Sequence, residues 1–321
     1  MGSLYGSRQL LRLPVMLSEK AIMSENLNND FSLVPTGQGT GMKVCGISLR
    51  DPLPDNLVTR LKTELAVQGV LIFSGQKDLT EEEQLRFTRA FGETFGHPLP
   101  GIGGKNPVKD TNQQVFYLTN AVDGGDTKAG SWQQKPNAES HSYKREGNTS
   151  ISRSDGELAW HSDLQYMPEP QVYSVLYGMK IPRQGGETEW CNMTLAYATL
   201  DDATKRQIEG LQSINWLTRK IAPVTHPVVR VHPLTGERAL YVSPGLSRYI
   251  AGWDEEKGRQ LIRKLTDHAT RPEFCYSHSW TPGDVIMWDN RVTMHRRKGF
   301  DLSERRVMRR TQTIGEVVIA A

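Results

Sequence analysis

The feature that most constrains the fold is a succession of short apolar runs in the second half of the chain. From Leu158 onward the sequence contains QVYSVLYGM, ETEWC, RALYV, DVIMWD and RVMRRTQTI, and turn residues bound most of these runs. Short runs rich in β-branched and aromatic side chains are typical of strands. Helical spacing interrupts them only near residues 193–212 and 254–268. The pattern therefore predicts a mainly β domain.

The N-terminal part adds flanking helices to this β core. Residues 56–67 repeat apolar positions at helical spacing, and GVLIFSG at 69–75 is an apolar run ended by glycine, which favours a buried strand. Thr80 and Glu83 form a capping-box pattern at the start of a helix over 80–91. Helices in front of and within a β-rich core predict one jelly-roll-like domain over residues 31–321.

Two stretches fall outside this pattern. Residues 1–30 carry basic residues among short apolar runs, without the apolar core of a secretory signal, so we expect a poorly ordered leader. Residues 101–156 are rich in Gly, Asn, Lys, Ser and Asp, and apart from QVFYLTN at 114–120 they lack periodicity. Long polar insertions of this kind are usually functional or partly disordered, and we expect part of this one to be a lid over the active site.

Charge and cysteine usage narrow the class of protein. A net charge of +3 over 321 residues gives no reason to expect nucleic acid or an anionic membrane as a partner. No stretch approaches the roughly 18 apolar residues of a membrane span. The three cysteines are widely spaced and contain no CxxC pair, which argues against a disulfide framework and favours a reducing, cytoplasmic location. A homo-oligomer is compatible with all of these features.

The segment WHSD carries the first chemical signal, because His161 and Asp163 are two residues apart. On a strand, such residues face the same side, so an imidazole and a carboxylate would point together. A second histidine would complete a 2-His-1-carboxylate site for a first-row divalent metal. His295 follows the apolar run DVIMWD, which places it at a strand end. Taken alone, an HxD pair is more often a surface or capping pair, and a lone histidine is more often structural.

A cluster of arginines follows His295. If RRVMRR is a strand, Arg306 and Arg310 share one face, and Arg305 and Arg309 share the other. An arginine that points into a barrel needs an anion, and its planar fork matches a carboxylate. The alternative interpretation is a solvated basic edge strand.

In combination, these segments resemble the iron- and 2-oxoglutarate-dependent oxygenases typified by taurine dioxygenase and 2,4-dichlorophenoxyacetate dioxygenase. The resemblance rests on GVLIFSGQ, the FG…HP segment, WHSDLQY, PRQGGETEW, HPVVRVHPLTGERALYV, WDNRVTMHR and RRVMRRT, in this order, between about residues 40 and 316. It implies a double-stranded β-helix (jelly roll), non-haem Fe(II) as cofactor, and 2-oxoglutarate and O2 as co-substrates. Decarboxylation of 2-oxoglutarate to succinate and CO2 would accompany oxidation of a substrate C–H bond.

The resemblance also implies a role for each matching residue. The metal ligands would be His161, Asp163 and His295. Arg306 and Thr188 would bind the distal carboxylate of 2-oxoglutarate. Arg310 would lie near the metal, toward the proximal carboxylate or the substrate.

Two further residues concern the substrate. His97 falls where the family places a substrate-contacting histidine, although a turn histidine before Pro98 is the alternative. Glu157 stands where the taurine enzyme has an asparagine that helps hold the sulfonate, and this disfavours taurine. With an anion on Arg310 and His97, Glu157 would receive an ammonium group. We therefore expect a small organic acid, with an amino acid and a phenoxyalkanoic acid as the alternatives.

Two rival functions compete with this interpretation. A Zn-dependent hydrolase on the same three ligands would leave Arg306 and Thr188 without a role. A jelly-roll protein that only binds small molecules predicts a broken triad, whereas every ligand position is filled. Among oxygenase outcomes, the carboxylate at Asp163 disfavours halogenation and leaves hydroxylation, desaturation, cyclisation and cleavage open.

Overall fold

The computed structural model describes residues 31–96, 114–120, 157–217 and 221–321. The fold is mainly β with flanking helices, as the run pattern predicts. The leader at 1–30, most of the insertion at 101–156 and His97 lie outside the described residues.

Seven strands form the larger sheet. They are β1 (Ser32–Pro35), β2 (Met42–Cys45), β3 (Val70–Phe73), β4 (Phe116–Thr119), β6 (Tyr173–Lys180), β14 (Val285–Asp289) and β16 (Val307–Gln312). Their order is β1–β2–β3–β14–β6–β16–β4, and only β2 and β3 pair in parallel. The apolar segment QVFYLTN of the insertion thus supplies an edge strand of the main sheet.

Four strands form the second sheet, and two small sheets stand beside it. The second sheet contains β5 (Leu158–His161), β7 (Thr188–Asn192), β13 (Cys275–His278) and β15 (Thr293–Arg297), in the order β13–β7–β15–β5. The small sheets contain β8 (Gln212–Asn215), β9 (Val224–Pro227), β10 (Val229–Val231), β11 (Arg238–Leu240) and β12 (Ser247–Ile250).

Helices cover the outer surfaces of both main sheets. They are α1 (Asp55–Gln68), α2 (Glu81–Phe91), α3 (Met193–Ala198), α4 (Asp202–Ile208), α5 (Glu255–Ala269) and a 3-10 turn at Pro272–Phe274. The predicted capping box is confirmed, because the Thr80 hydroxyl accepts from Glu83 N and the Glu83 carboxylate accepts from Thr80 N. Gly69 ends α1 with a φ of 73°, a left-handed conformation that favours glycine.

The core between the two main sheets is aromatic and apolar. Trp190 from the second sheet meets Trp288 from the larger sheet at a ring separation of 5.6 Å. Met308 and Tyr276 join the same buried cluster. Apolar residues of α1 and α2 cover the opposite face of the larger sheet, and α3 and α5 cover the second sheet. Side chains that reach the interior from either sheet therefore share one enclosed space.

Some local predictions were wrong. The helical stretch near 193–212 is two short helices, and residue 212 already belongs to β8. Strands β1, β2, β8, β9, β12 and β13 were not predicted from the sequence. They have four residues each, which is too short for a clear period-2 pattern of polar and apolar side chains.

The sequence predicts neither a membrane span nor a disulfide framework. Within the part of the chain that the structure describes, no helix is long and apolar enough to cross a membrane. Cys45, Cys191 and Cys275 are all free thiols.

Candidate metal and co-substrate site

Three predicted ligands converge at the inner face of the second sheet. His161 ends β5 and is the register partner of His295 in β15. The Nε2 atoms of His161 and His295 lie 3.8 Å and 3.7 Å from the same oxygen, Asp163 Oδ1. The structure thus brings an imidazole pair and a carboxylate to one point.

The route to this convergence differs from the sequence prediction in two respects. Asp163 does not share the strand of His161, because the chain leaves β5 after His161 and turns, with Leu164 at a φ of 51°. His295 does not follow the end of β14 directly, but lies in the middle of the next strand, β15. The turn and the strand pairing, and not alternation along one strand, bring these side chains together.

Both imidazoles are held in the neutral state that binds metals. His161 Nδ1 lies 2.7 Å from the carbonyl oxygen of Ala159, so Nδ1–H donates there and the Nε2 lone pair faces Asp163. The His295 ring packs at 4.9 Å from Trp288, and its buried Nδ1 has no hydrogen-bond partner among the described residues. Burial lowers the pKa of His161 and lowers the pKa of His295 to about 3.

The second oxygen of Asp163 is occupied by three donors. Oδ2 accepts from Arg310 Nη2 at 2.6 Å, from Ser174 Oγ at 2.8 Å and from Gln171 Nε2 at 3.3 Å. Burial by itself raises the pKa of Asp163, but the charge of Arg310 and the smaller effects of its other neighbours together more than offset this, and the pKa lies below its ordinary value. The carboxylate is therefore ionised, with Oδ1 directed at the two imidazoles.

Asn290 connects the parts of this arrangement. Its Oδ1 accepts from the backbone N of Asp163 at 3.2 Å and from Trp288 Nε1 at 3.0 Å, and its Nδ2 donates to Ser174 Oγ at 2.9 Å. One buried amide thus positions Asp163, its serine donor and the indole that packs on His295. Sequence reasoning missed this residue, although it stands inside the WDNRVTMHR segment.

Removing the serine donor tests whether this support matters. We expect Ser174→Ala to weaken Fe(II) affinity by about 10- to 100-fold, the usual effect of losing an outer hydrogen bond to a metal ligand. Competition with a chromogenic chelator measures the affinity. Ser213→Ala, which removes another fully buried serine hydroxyl from β8, is the matched control and should retain wild-type affinity. Equal affinity in all three proteins would contradict the prediction.

The donor set fits a first-row divalent metal such as Fe(II). Metal–nitrogen and metal–oxygen bonds are about 2.0–2.2 Å long, so two ligands of one ion lie no more than roughly 4.4 Å apart. Both imidazole–carboxylate separations satisfy this limit. Two neutral nitrogens and one carboxylate oxygen match the 2-His-1-carboxylate pattern, which leaves coordination positions open.

Arg306 lies just before β16 and is buried to 3% exposure. Within the described part of the chain, its Nε has no hydrogen-bond partner and its guanidinium forms no ion pair. Burial, together with repulsion from Arg297, lowers its pKa well below the ordinary value. The Asn120 side chain accepts a hydrogen bond from the Arg306 backbone N at 2.9 Å and so holds the backbone in place just before β16. A buried guanidinium in this condition is suited to pair with an anion.

The predicted alternation is confirmed for Met308, Arg309 and Arg310, whereas Arg305 and Arg306 precede β16. Met308 points into the core between the sheets, and Arg310 reaches Asp163. Arg309 points the other way, where its Nε donates to Gln84 Oε1 at 2.7 Å. The alternative of a solvated basic edge strand is wrong, because β16 lies between β6 and β4 and most of its residues are buried.

The structure also describes two other predicted site residues, Thr188 and Glu157. Thr188 is buried at the start of β7, where its hydroxyl accepts from Trp280 Nε1 at 2.9 Å. The preceding loop lies against Arg306, since a Cβ on Gly186 would stand 3.4 Å from Arg306 Nε. Glu157 is half-buried directly before β5.

Comparison with known proteins gives a consistent result. The 2,4-dichlorophenoxyacetate dioxygenase of Burkholderia sp. strain RASC is 29% identical over 290 residues, covering 85% of this chain and 91% of that protein. A taurine dioxygenase structure from Burkholderia xenovorans is 30% identical with a TM-score of 0.73, covering 90% of this chain and 91% of that one. The structure of AAD-2 in complex with Mn(II) and N-oxalylglycine is 28% identical with a TM-score of 0.67, covering 91% of this chain and 100% of that one.

The family model provides the decisive match. The model described as taurine catabolism dioxygenase TauD, TfdA family matches residues 30–312, which is most of the chain. The resemblance drawn from the sequence motifs is thereby confirmed. The chain belongs to the TauD, TfdA family, and it is an Fe(II)- and 2-oxoglutarate-dependent dioxygenase.

Proposed function

We propose that the dioxygenase holds Fe(II) on His161, Asp163 and His295 and oxidises a C–H bond of a small organic acid. The observation that carries this proposal is the convergence of two neutral imidazoles on one oxygen of a carboxylate whose other oxygen is fully hydrogen-bonded. The hydrolase alternative is not favoured because it leaves the buried guanidinium of Arg306 unexplained. The binding-protein alternative is not favoured because it predicts a broken triad, whereas all three ligand residues are present together.

We also propose that the two main sheets form the double-stranded β-helix of this family. Trp190 and Trp288 pack against each other from opposite sheets. Arg310 of β16 reaches Asp163 beside the second sheet, so functional side chains of both sheets share one interior. A jelly roll places its ligand-binding residues in such an interior.

For 2-oxoglutarate, we propose that Arg306 pairs with the distal carboxylate and that Thr188 supplies a hydroxyl to it. The Arg306 guanidinium is buried, while the loop that leads to Thr188 lies against its Nε. When bound, Fe(II) and O2 convert 2-oxoglutarate to succinate and CO2 and oxidise the substrate. The chain's own residues bind and orient the co-substrate and exclude bulk water, and the aromatic core around Trp288 contributes to that exclusion.

The contacts of Arg310 bear on the two roles that the sequence left open for it, binding the proximal carboxylate or binding the substrate. Its Nη2 is committed to Asp163 Oδ2 at 2.6 Å, and its guanidinium also packs over Trp288 at 5.6 Å. We propose that Arg310 first of all holds the metal-binding carboxylate in place. Its remaining nitrogens are directed to the proximal carboxylate or to the substrate.

The substrate class is tested by succinate release. The named relatives act on 2,4-dichlorophenoxyacetate, which is an anion, and on taurine, a zwitterion that carries an anionic sulfonate. We therefore expect phenoxyalkanoic or amino acids to stimulate 2-oxoglutarate turnover about 10-fold more than the corresponding amides, which lack the carboxylate charge, because a charge-assisted pair contributes roughly 1.5–3 kcal/mol. Equal stimulation by acids and amides would contradict the anionic substrate.

The same assay in Glu157→Gln separates the two acid classes. If Glu157 receives an ammonium group, the variant loses stimulation by amino acids and keeps stimulation by phenoxy acids. If amino acids stimulate both proteins equally, Glu157 does not contact the substrate.

A further inference from the structure

Arg297 ends β15, two residues after His295. Because side chains alternate along a strand, Arg297 shares the inner face with His295. The pairing of β15 with β7 is regular here, with His295 opposite Trp190 and Arg297 opposite Thr188. Arg297 is thus the direct cross-strand neighbour of the threonine proposed to bind 2-oxoglutarate.

The intervening residue shows the opposite orientation. Arg296 forms ion-pair contact with Glu189 on the outer side and lies over the Trp160 ring at 5.0 Å. Trp160 packs against the cluster that α3 and α5 cover, outside the barrel interior. Two consecutive arginines of the same strand therefore face different environments.

Arg297 and Arg306 share one aromatic neighbour. Their guanidinium carbons lie 5.5 Å and 5.9 Å from the ring centre of Phe300. A Cβ on Gly186 would stand 3.4 Å from Arg306 Nε and 3.6 Å from Phe300 Cβ. Arg297, Thr188, Gly186, Phe300 and Arg306 thus belong to one wall of the site, which we term the arginine wall.

We propose that Arg297 is a second anion-binding residue of the co-substrate site, adding its guanidinium to that of Arg306 around the distal carboxylate of 2-oxoglutarate. This inference rests on the proposed function. A metal-bound 2-oxoglutarate has one carboxylate at the metal and a second that must be neutralised farther away. Two guanidiniums on one partly buried wall repel each other, and a carboxylate between them relieves that repulsion.

The charge of Arg297 acts on Arg306. After the larger effect of burial, it contributes to the lowered pKa of Arg306. Arg297 is half-buried, whereas Arg306 is buried. We therefore expect a smaller effect at Arg297 than at Arg306, but one confined to ligands with a distal carboxylate.

Calorimetric titration of the full-length Mn(II)-loaded protein without O2 provides the test. The ligands are 2-oxoglutarate and 2-oxovalerate, which has a methyl group in place of the distal carboxylate. We expect Arg297→Ala to weaken 2-oxoglutarate binding roughly 10-fold and to leave 2-oxovalerate binding and Mn(II) affinity unchanged. Arg297→Lys should restore most of the loss, and the outward-facing control Arg296→Ala should bind both ligands as wild type does.

The outcomes distinguish the Arg297 proposal from the proposed co-substrate site on which it rests. If Arg306→Ala weakens 2-oxoglutarate binding but Arg297→Ala does not, the Arg297 inference is wrong and the proposed co-substrate site stands. If neither variant weakens it, the proposed co-substrate site itself is wrong. Equal loss of both ligands in Arg297→Ala would indicate a structural role and would also overturn the inference.

Discussion

The His295→Ala variant is expected to lose Fe(II) binding and all succinate formation. It would retain one imidazole and one carboxylate, and two ligands do not hold Fe(II) against buffer and water. His161→Ala should lose Fe(II) binding and succinate formation in the same way, because the Nε2 of His161 faces the same Asp163 oxygen as that of His295. Metal content after gel filtration and succinate formation with Fe(II) and ascorbate measure the two effects.

A histidine outside the site provides the control for these variants. His268 in α5 is partly exposed, and its Nε2 contacts Thr199 Oγ1 and the carbonyl oxygen of Ala196. His268→Ala should retain metal and activity. Circular dichroism checks that all three variants are folded. Wild-type activity in His161→Ala or His295→Ala would remove that residue from the ligand set.

A second large effect is expected at Arg306. Losing a buried, charge-paired guanidinium costs on the order of 2–5 kcal/mol, which corresponds to a rise of roughly 30-fold or more in the KM for 2-oxoglutarate. Arg306→Lys keeps the charge but loses the planar fork, so it should give an intermediate KM. Steady-state succinate formation over a range of 2-oxoglutarate concentrations gives each constant.

Arg305, the residue before Arg306, is the matched control for which of the two arginines binds the co-substrate. Arg305 precedes Arg306 and is only half-buried, so Arg305→Ala should change the KM for 2-oxoglutarate much less. A normal KM in Arg306→Ala with a large rise in Arg305→Ala would contradict the assignment of the co-substrate arginine.

Much of this site could be predicted from the sequence because its residues stand in ordered motifs. The spacing in WHSD and the position of His295 after an apolar run, taken together with the family resemblance of the ordered motifs, identified the three residues that converge. Alternation in RRVMRR correctly separated Arg310 from Arg309, since one buried strand has only two faces.

Other features depend on contacts between distant segments, and no local pattern encodes them. The turn that brings Asp163 beside His295 requires a positive φ at Leu164, which apolar periodicity does not indicate. The pairing of Arg310 with Asp163 depends on how two sheets stack. Asn290 was missed because a single asparagine in a strand connection usually signals a turn. His97 and the lid in 101–156 stay predictions, since they fall outside the described residues.

The most direct test of the central claim is the product balance of 2-oxoglutarate turnover. Purified protein is supplied with Fe(II), ascorbate, O2 and 2-oxoglutarate, and both succinate and CO2 are quantified. The account predicts equimolar succinate and CO2 with Fe(II), and neither product when Zn(II) replaces Fe(II). Turnover of a hydrolysable substrate with Zn(II) in the absence of 2-oxoglutarate, without succinate under any condition, would contradict it.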